Sequence, residues 1–565
     1  MANKENFEEY SAFLGFVRRR RRPNGTWYVK IIWSRVAAAA LALAFLGWIA
    51  LSTFLYIFWK HVNKYDEMTF WQAMIYPFSQ AEQREKIGNF HIKKSRELLE
   101  AKKFREAIQT LTVGVARSPK NIEGRRMLAE FYLVFFKRPD HAINMLEGGL
   151  IFAKDDPQYI RLYLRLLLEQ NDDKRIVAVG EKLLNDADIK NVQAKSYIAI
   201  TLATVYAMHG NYKVSREYIE KYGLAETLPG IMRLAKNEWE MGDRNAAVDL
   251  ILKNLNKMEK KEFLYGMLVN FYMEMGNIDE ARRYSVLRSI ENPFSIEQKI
   301  EFLRLLKKSG DTKRVMQEVD TLFNQYKDDN RSLLNLANFA TDVCDVEFMR
   351  RIYNSALNSG FPMAPYCLLW LESMIANKNY KDATKFSEDI MREKPVWIKQ
   401  YEDIFSCLRA IAYYGASNIG MSEALIDEVL KRGKVSPRVL FSTARRFEDL
   451  GALNFSMRLL SDAVERFPRH QLALTNLIRL EIESGNAVNL DKHINTLLQM
   501  RRPSRSLVEY ARDNLISDKF IFAKNRKKTI DEINSMMVNK SLDQNSDSDN
   551  DYGRISDPIL ESSGI

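Results

Sequence analysis

Side chains able to ligate a metal, attack a substrate or hold a phosphate are few and scattered in this chain. Cys344, Cys367 and Cys407 are odd in number, far apart and set within apolar helical patterns, the usual place of a small core residue. No CxxC pair or disulfide framework can be read from them. The histidines, His61, His91, His141, His209, His470 and His493, show no HExxH or other ligand spacing. The phosphate-cradling GxxxxGKS/T, a GxGxxG following a strand and the GxSxG nucleophile elbow do not occur. The expectation is a protein with no cofactor, no metal and no catalytic centre. The densest chemical signal is instead a run of five cations, Arg18, Arg19, Arg20, Arg21 and Arg22. Such a run serves a nucleic-acid arm, a nuclear address or a membrane-surface patch.

The apolar stretch just after the arginines decides between these uses. Val36 to Trp59 carries no charged side chain, and its polar interruptions are Ser52 and Thr53. At about 1.5 Å per residue the stretch covers roughly 36 Å, enough to cross a hydrocarbon core of about 30 Å with some tilt. Trp27, Tyr28 and Trp33 precede it, and Tyr56, Trp59 and Tyr65 stand at or beyond its far end, as an interfacial aromatic belt requires. A cleaved signal peptide would be shorter and would end in small residues. Eight cations lie before the span, whereas the first twenty or so residues after it offer only Lys60 and Lys64. The positive-inside bias therefore predicts a cytoplasmic N-terminal segment, residues 1–35, a transmembrane helix at 36–59, and everything later across the membrane. In a bacterium this is an inner-membrane protein facing the periplasm. Phe7, Tyr10, Leu14 and Val17 recur at helical spacing. Residues 6–17 therefore read either as a short amphipathic helix on the inner leaflet or as a tail.

Beyond the span the sequence repeats. From Ala81 to Met537 the pattern is helix, tight turn, helix, longer turn, with little of the alternation that marks strands. The tight turns fall at Lys102, Lys137, Asn171, Gly210, Gly242, Gly276, Gly310, Asp345, Lys378, Gly415, Gly451 and Gly485, spaced by 32 to 39 residues. A glycine suits such a turn because one residue must take a left-handed conformation. The clearest copy is YGMLVNFYMEMGNIDEARRYSVLRSIENP, with Tyr265, Leu268 and Tyr272 on the first helix, Gly276 in the turn, Ala281 at the helix crossing and Pro293 at the end. Other copies keep Phe104, Ala107 and Pro119; Leu202, Ala203, Tyr206, Gly210 and Tyr212; Tyr380, Ala383 and Pro395; or Ala444, Phe447, Gly451, Ala463 and Pro468. Alanine at the crossing lets two helices approach within about 8 to 10 Å, and proline stops the second helix.

On these residues the chain resembles the tetratricopeptide repeat family over roughly four fifths of its length, through twelve degenerate units. The expected fold is all-α: a right-handed α-solenoid of about twelve such helix pairs at 82–503, preceded by one transmembrane helix. An aromatic juxtamembrane linker at 60–81, resting on the outer leaflet, leads into it, capping helices follow at 504–540, and an acidic tail at 541–565 has too little apolar content to fold. The resemblance implies an assembly or adaptor module without chemistry of its own. Its partners would lie on the concave surface lined by the first helix of each unit. Six residues before the turns at Gly210, Gly242, Gly276, Gly310 and Asp345 stand Thr204, Lys236, Asn270, Arg304 and Phe339. Three residues before them stand Ala207, Trp239, Met273, Lys307 and Asp342. The candidate groove is therefore Lys236, Trp239, Asn270, Met273, Arg304 and Lys307, cations with an amide and two apolar anchors, suited to an extended peptide with acidic positions. The same positions are also those any amphipathic helix leaves polar.

Charge gives only weak support for nucleic acid. The net charge is +11, with +5 in residues 1–35 and −5 in the tail from Ser541, so the long body is only mildly basic. No unit-by-unit set of polar positions forms a base-reading code, and no segment outside the repeats is large enough for a catalytic domain. The expected function is a membrane-anchored scaffold for protein or peptide partners outside the cytoplasm, in the organisation of an envelope complex. The same scaffold facing the cytosol is the alternative, with an RNA-binding repeat or an enzyme accessory protein behind it.

Overall fold

The computed structural model describes residues 9–12, 15–21, 25–62 and 65–539. Arg22 and the acidic tail lie outside them. The chain divides into two compact units, Met1–Lys154 and Asp155–Ile565.

The first unit begins with three short antiparallel strands, β1 (Glu9–Ala12), β2 (Val17–Arg21) and β3 (Trp27–Ile31), in that order across the sheet. Of residues 6–17, read as either an amphipathic helix or a tail, those described are strand at Glu9–Ala12 and Val17 with a turn at 15–16, which corrects the helix reading there; residues 6–8 and 13–14 lie outside the described residues. A segment of about twelve residues is too short to hold a helix by itself, and the strand-forming Trp27-Tyr28-Val29 offers β2 a partner, with Arg19 opposite Val29 and Arg18 opposite Lys30. Helix α1 (Trp33–Ile57) comes next and continues through one π turn, Phe58–Val62. Its surface is apolar and largely exposed: Leu41, Leu43, Phe45, Leu46 and Phe54 are each more than half accessible. Together these form one helix long and apolar enough to cross a membrane, Trp33–Val62, 30 residues.

The segment after α1 is folded. Helix α2 (Phe70–Ile75) starts in a capping box, with Thr69 and Gln72 each accepting from the other's backbone N–H. Tyr65, Met68 and Ala73 are buried with Ile87 of α3 (Gln80–Glu100). α3 pairs with α4 (Phe104–Arg117) as the first repeat, and Ala107 at their crossing is fully buried.

Twelve left-handed residues mark the tight turns of twelve helix pairs among the described residues: Lys102, Lys137, Asn171, Gly210, Gly242, Gly276, Gly310, Cys344, Lys378, Ser417, Gly451 and Gly485. Ten are those expected. At the other two the register moves, each for a visible reason. Asp345 is the cap of the next helix, its carboxylate accepting from the Phe348 N–H at 2.9 Å, so the left-handed turn falls on Cys344. Gly415 lies inside the helix Ile398–Gly415, where a Cβ would run into the Tyr380 ring; the turn falls on Ser417. With these turns seven of the eleven intervals are 34 residues and two are 39. The long intervals hold the long first helices Val192–Met208 and Ile398–Gly415.

Five residues past each turn the second helix crosses the first, and there Ala142, Ser215, Ala247, Ala281, Ala383, Ser422 and Ser456 are fully buried. Small side chains at this point let two backbones approach. Leu507, Val508, Ala511 and Leu515 of the helix Arg505–Ile516, with Ile533 of the helix Arg526–Asn539, join the core of the last repeats.

The second unit returns on itself. Arg501 places Nε and Nη2 on the two carboxylate oxygens of Asp173, each at 2.9 Å, and Nη2 also donates to the Leu168 carbonyl. The Arg502 N–H donates to the Met208 carbonyl at 2.9 Å, and its guanidinium meets Tyr212 and Glu240. Arg469 pairs with Asp172 at 2.8 Å, and the Asn171 amide donates to the Arg469 carbonyl. Loops between late repeats thus sit on the turns of early ones, more than 290 positions away for several of these bonds.

Candidate partner-binding groove

The first helices that carry the predicted groove residues are Leu228–Glu240, Glu262–Glu274, Ile296–Lys308 and Asn330–Asp342. Each starts where its local sequence allows: Thr227, Ser295 and Asp329 accept from backbone N–H groups as caps, and Pro229 stands in the first turn of its helix.

The structure separates the predicted residues into two kinds. Arg304, Lys307 and Asn270 are exposed, and Lys236 is half-buried with no ion pair among the described residues. Trp239 is not an open anchor. It is 6% exposed, lies face to face with Phe271 at 4.1 Å, donates from Nε1 to Glu274 at 3.0 Å, and has the Arg244 guanidinium 5.2 Å from its ring. The reason is area: an indole on the seam between two repeats gains most by full burial with its N–H satisfied. Met273 is half-buried against the same core. Thr204, Ala207 and Phe339 are buried. Phe339 is a consequence of the shifted turn: six residues before Cys344 stands Asn338, which is exposed, and three before it stands Thr341, buried and bonded to the Ala337 carbonyl. The exposed strip across these repeats is therefore Asn270, Arg304, Lys307, Asn338 and Asp342.

Counting within one repeat missed the fact that these charges are shared between repeats. Arg304 pairs with Asp342 of the next unit at 2.5 Å, and Lys307 donates to the Val343 carbonyl at 2.8 Å. Glu297 accepts from the Asn335 amide at 3.2 Å and faces Arg331 at 3.8 Å. Trp239 to Glu274 makes the same step two repeats earlier. The rungs join positions 34 to 38 apart, so a search for opposite charges at one repeat length plus a few residues would have found Arg304 with Asp342 and Glu297 with Arg331, though not the others. Exposed ion pairs of this kind contribute about 0 to 1 kcal/mol each. An incoming carboxylate or amide therefore exchanges with them at little cost. What the strip can do chemically is hydrogen-bond and pair charge.

Two of the three cysteines are poor nucleophiles. Burial pushes the Cys367 and Cys407 thiols up to about 11, so both stay protonated near neutrality, and Cys344 is exposed in its turn. Among the described residues no three His, Cys, Asp or Glu side chains are grouped to hold a metal ion. The most perturbed carboxylate is in the clasp. Burial alone would raise the pKa of Asp173, but the Arg501 fork and His209 Nε2, 3.1 Å away, outweigh it and hold it at about 2.

Helix pairs of near-constant 34-residue period, left-handed turns and small crossing residues define an α-solenoid of tetratricopeptide type. The family model described as tetratricopeptide repeat matches residues 98–166. No curated protein matches the chain. Among solved structures, a tetratricopeptide repeat protein from Parabacteroides merdae is 13% identical with a TM-score of 0.28, over 44% of this chain and 96% of that one. PilW, a type IV pilus biogenesis factor, is 19% identical with a TM-score of 0.29, over 37% and 95%. Yeast Tom70 is 11% identical with a TM-score of 0.30, over 80% and 96%.

Proposed function

We propose that this protein is a single-pass membrane scaffold whose solenoid holds protein or peptide partners outside the cytoplasm, in the organisation of an envelope complex. The observation that carries the anchor is the exposed apolar surface of Trp33–Val62. Leaving so much contiguous apolar area in water is unfavourable at about 25 cal/mol per Å2. The direction rests on the cations around the uncharged stretch Val36 to Trp59, eight before it against Lys60 and Lys64 after it. The partner class rests on the repeat body, whose exposed strip offers charge and amide groups and whose buried thiols are unreactive.

Orientation is tested by protease added to intact cells or spheroplasts carrying an N-terminal tag. Digestion of the solenoid with survival of the tag is the expected result. A fully protected solenoid would reverse the topology and place the same scaffold in the cytosol. Neutral replacement of Arg18 to Arg22 is expected to yield mixed orientations. Proximity labelling from the intact membrane protein then identifies the partner.

A further inference from the structure

The segment between α1 and the first repeat packs in an unexpected place. Phe78 lies against Trp48, ring centroids 5.1 Å apart, and Trp48 is in the middle of the apolar helix. Trp48, Trp71, Met74, Ile75 and Phe78 line an open slot of about 240 Å3 whose walls are almost wholly apolar. Trp71 and Phe78 are 66% and 82% exposed. Large aromatic side chains displayed together on an apolar slot are unfavourable in water. The segment that carries them packs back onto α1. Phe70 meets Tyr56 edge-on at 6.3 Å, Tyr76 lies 6.0 Å from Trp59, and the Arg117 guanidinium stands 5.0 Å over the Trp59 ring.

The length of the apolar helix says what covers the slot. Thirty residues rise about 45 Å, some 15 Å more than a hydrocarbon core of about 30 Å. With exposed Trp33 at one interface, about 30 Å of rise reaches the neighbourhood of Thr53, and Trp48 lies roughly 7 Å below that level. Phe78 and Trp71 stand beside Trp48, continuing the exposed apolar surface of α1. Charged residues begin directly afterwards, at Glu82, Arg84, Glu85 and Lys86, as the headgroup layer allows.

We propose that α2 and Phe78 insert into the leaflet at the C-terminal end of α1, and that the slot takes a lipid acyl chain. The inference rests on the proposed reading of α1 as a helix that spans a bilayer. The inserted shoulder supplies a second membrane contact and ties the first repeat to the bilayer through Tyr65, Met68 and Ala73, packed on Ile87.

The test uses the full chain with Cys344→Ser, reconstituted in nanodiscs of phosphatidylethanolamine and phosphatidylglycerol; buried Cys367 and Cys407 stay unlabelled. A nitroxide is placed through Phe78→Cys, with Leu46→Cys as the reference within the span and Lys213→Cys on the exposed solenoid surface. Collision rates with oxygen and with a water-soluble nickel chelate are compared. The expected oxygen-to-nickel ratio at position 78 matches that at 46 and is several-fold above that at 213. A ratio at 78 equal to that at 213, with 46 still oxygen-rich, overturns the shoulder and leaves the anchor standing. Low collision with both reagents at 78 means that protein covers the slot, a second copy or a partner helix, and overturns the lipid. A water-like ratio at 46 overturns the anchor and the shoulder together. Trp71→Cys provides the same readout if Phe78→Cys does not incorporate.

Discussion

At Arg304 the guanidinium already has a carboxylate, Asp342 of the next repeat. Both are roughly half exposed, so the pair contributes at most about 1 kcal/mol, and its value lies in presenting charge at a fixed place. Two effects can be separated. Arg304→Asp alone puts like charges together and is expected to lower stability by up to about 1 kcal/mol. Arg304→Asp with Asp342→Arg restores the pair and the melting temperature while inverting the charge order met by a partner. Reversal of Lys236 and Arg304 to Glu together is expected to abolish capture of the natural partner, with a loss of stability of up to about 1 kcal/mol, as for Arg304→Asp alone. Undiminished recovery by both doubles would move the binding surface off this strip. A second residue-scale prediction concerns Cys344, left-handed and exposed where half of the repeats have glycine. A Cβ in that conformation costs about 1 to 2 kcal/mol, offset in part by the greater unfolded-state entropy of glycine. Cys344→Gly is therefore expected to raise stability by about 0.5 to 1 kcal/mol, read as a higher urea midpoint; a lower midpoint would show that the turn is not under this strain.

The element scale is governed by the crossing of two helices. Ala281 is fully buried between Ile278–Glu291 and Glu262–Glu274 and belongs to the core that holds Trp239, Tyr265 and Phe271. There is no room for three more carbons, and overpacking costs about 1 to 3 kcal/mol. Ala281→Leu is expected to lower the melting temperature, with faster amide exchange in the repeats on either side, because a solenoid unit is stabilised by its neighbours. Exchange confined to the helix 278–291 would contradict that coupling. Ala281 was legible from the sequence because its spacing from Gly276 repeats elsewhere. Trp239 was misread because the same spacing cannot tell a residue facing the groove from one facing the next repeat; the choice depends on Phe271, 32 positions on, filling the seam.

For the second unit, the feature with the largest consequence is the clasp of Arg501 on Asp173. Removing one partner of a buried ion pair leaves the other desolvated, at a cost of roughly 3 kcal/mol or more. Arg501→Ala is expected to lower stability by about that amount and to raise amide exchange at 168–173, with an increased radius of gyration as the returning loops detach. An unchanged radius would mean that the Arg469 and Arg502 contacts hold the closure alone. The pH dependence has a definite sign. The pKa of Asp173 is lowered from 3.8 to about 2, so its contribution is complete above about pH 4 and is lost as pH falls through about 2. Asp173→Asn is accordingly expected to cost on the order of 2 kcal/mol at pH 7, with the difference from the parent protein shrinking between pH 4 and pH 2. A difference that changed between pH 5 and pH 8 would show that His209, rather than Arg501, supplies most of the pairing.

Local sequence determined the helix pairs, most of their turns and the small crossing residues, because a repeat is built from contacts between residues close in sequence and its signals recur at nearly fixed spacing. It also determined the apolar span, which needs only length and composition. The return of late loops onto early turns was left to the tertiary structure. So were the rungs between repeats, the burial of Trp239 and the folding of residues 65–79 along α1. Each depends on which surfaces meet, and Asp173 and Arg501, 328 positions apart, carry no local mark of their pairing. The two shifted turns obey the same rule. Asp345 and Gly415 look like turn residues by type, but one was taken by a helix cap and the other by the close approach of Tyr380, and those neighbours are set by packing.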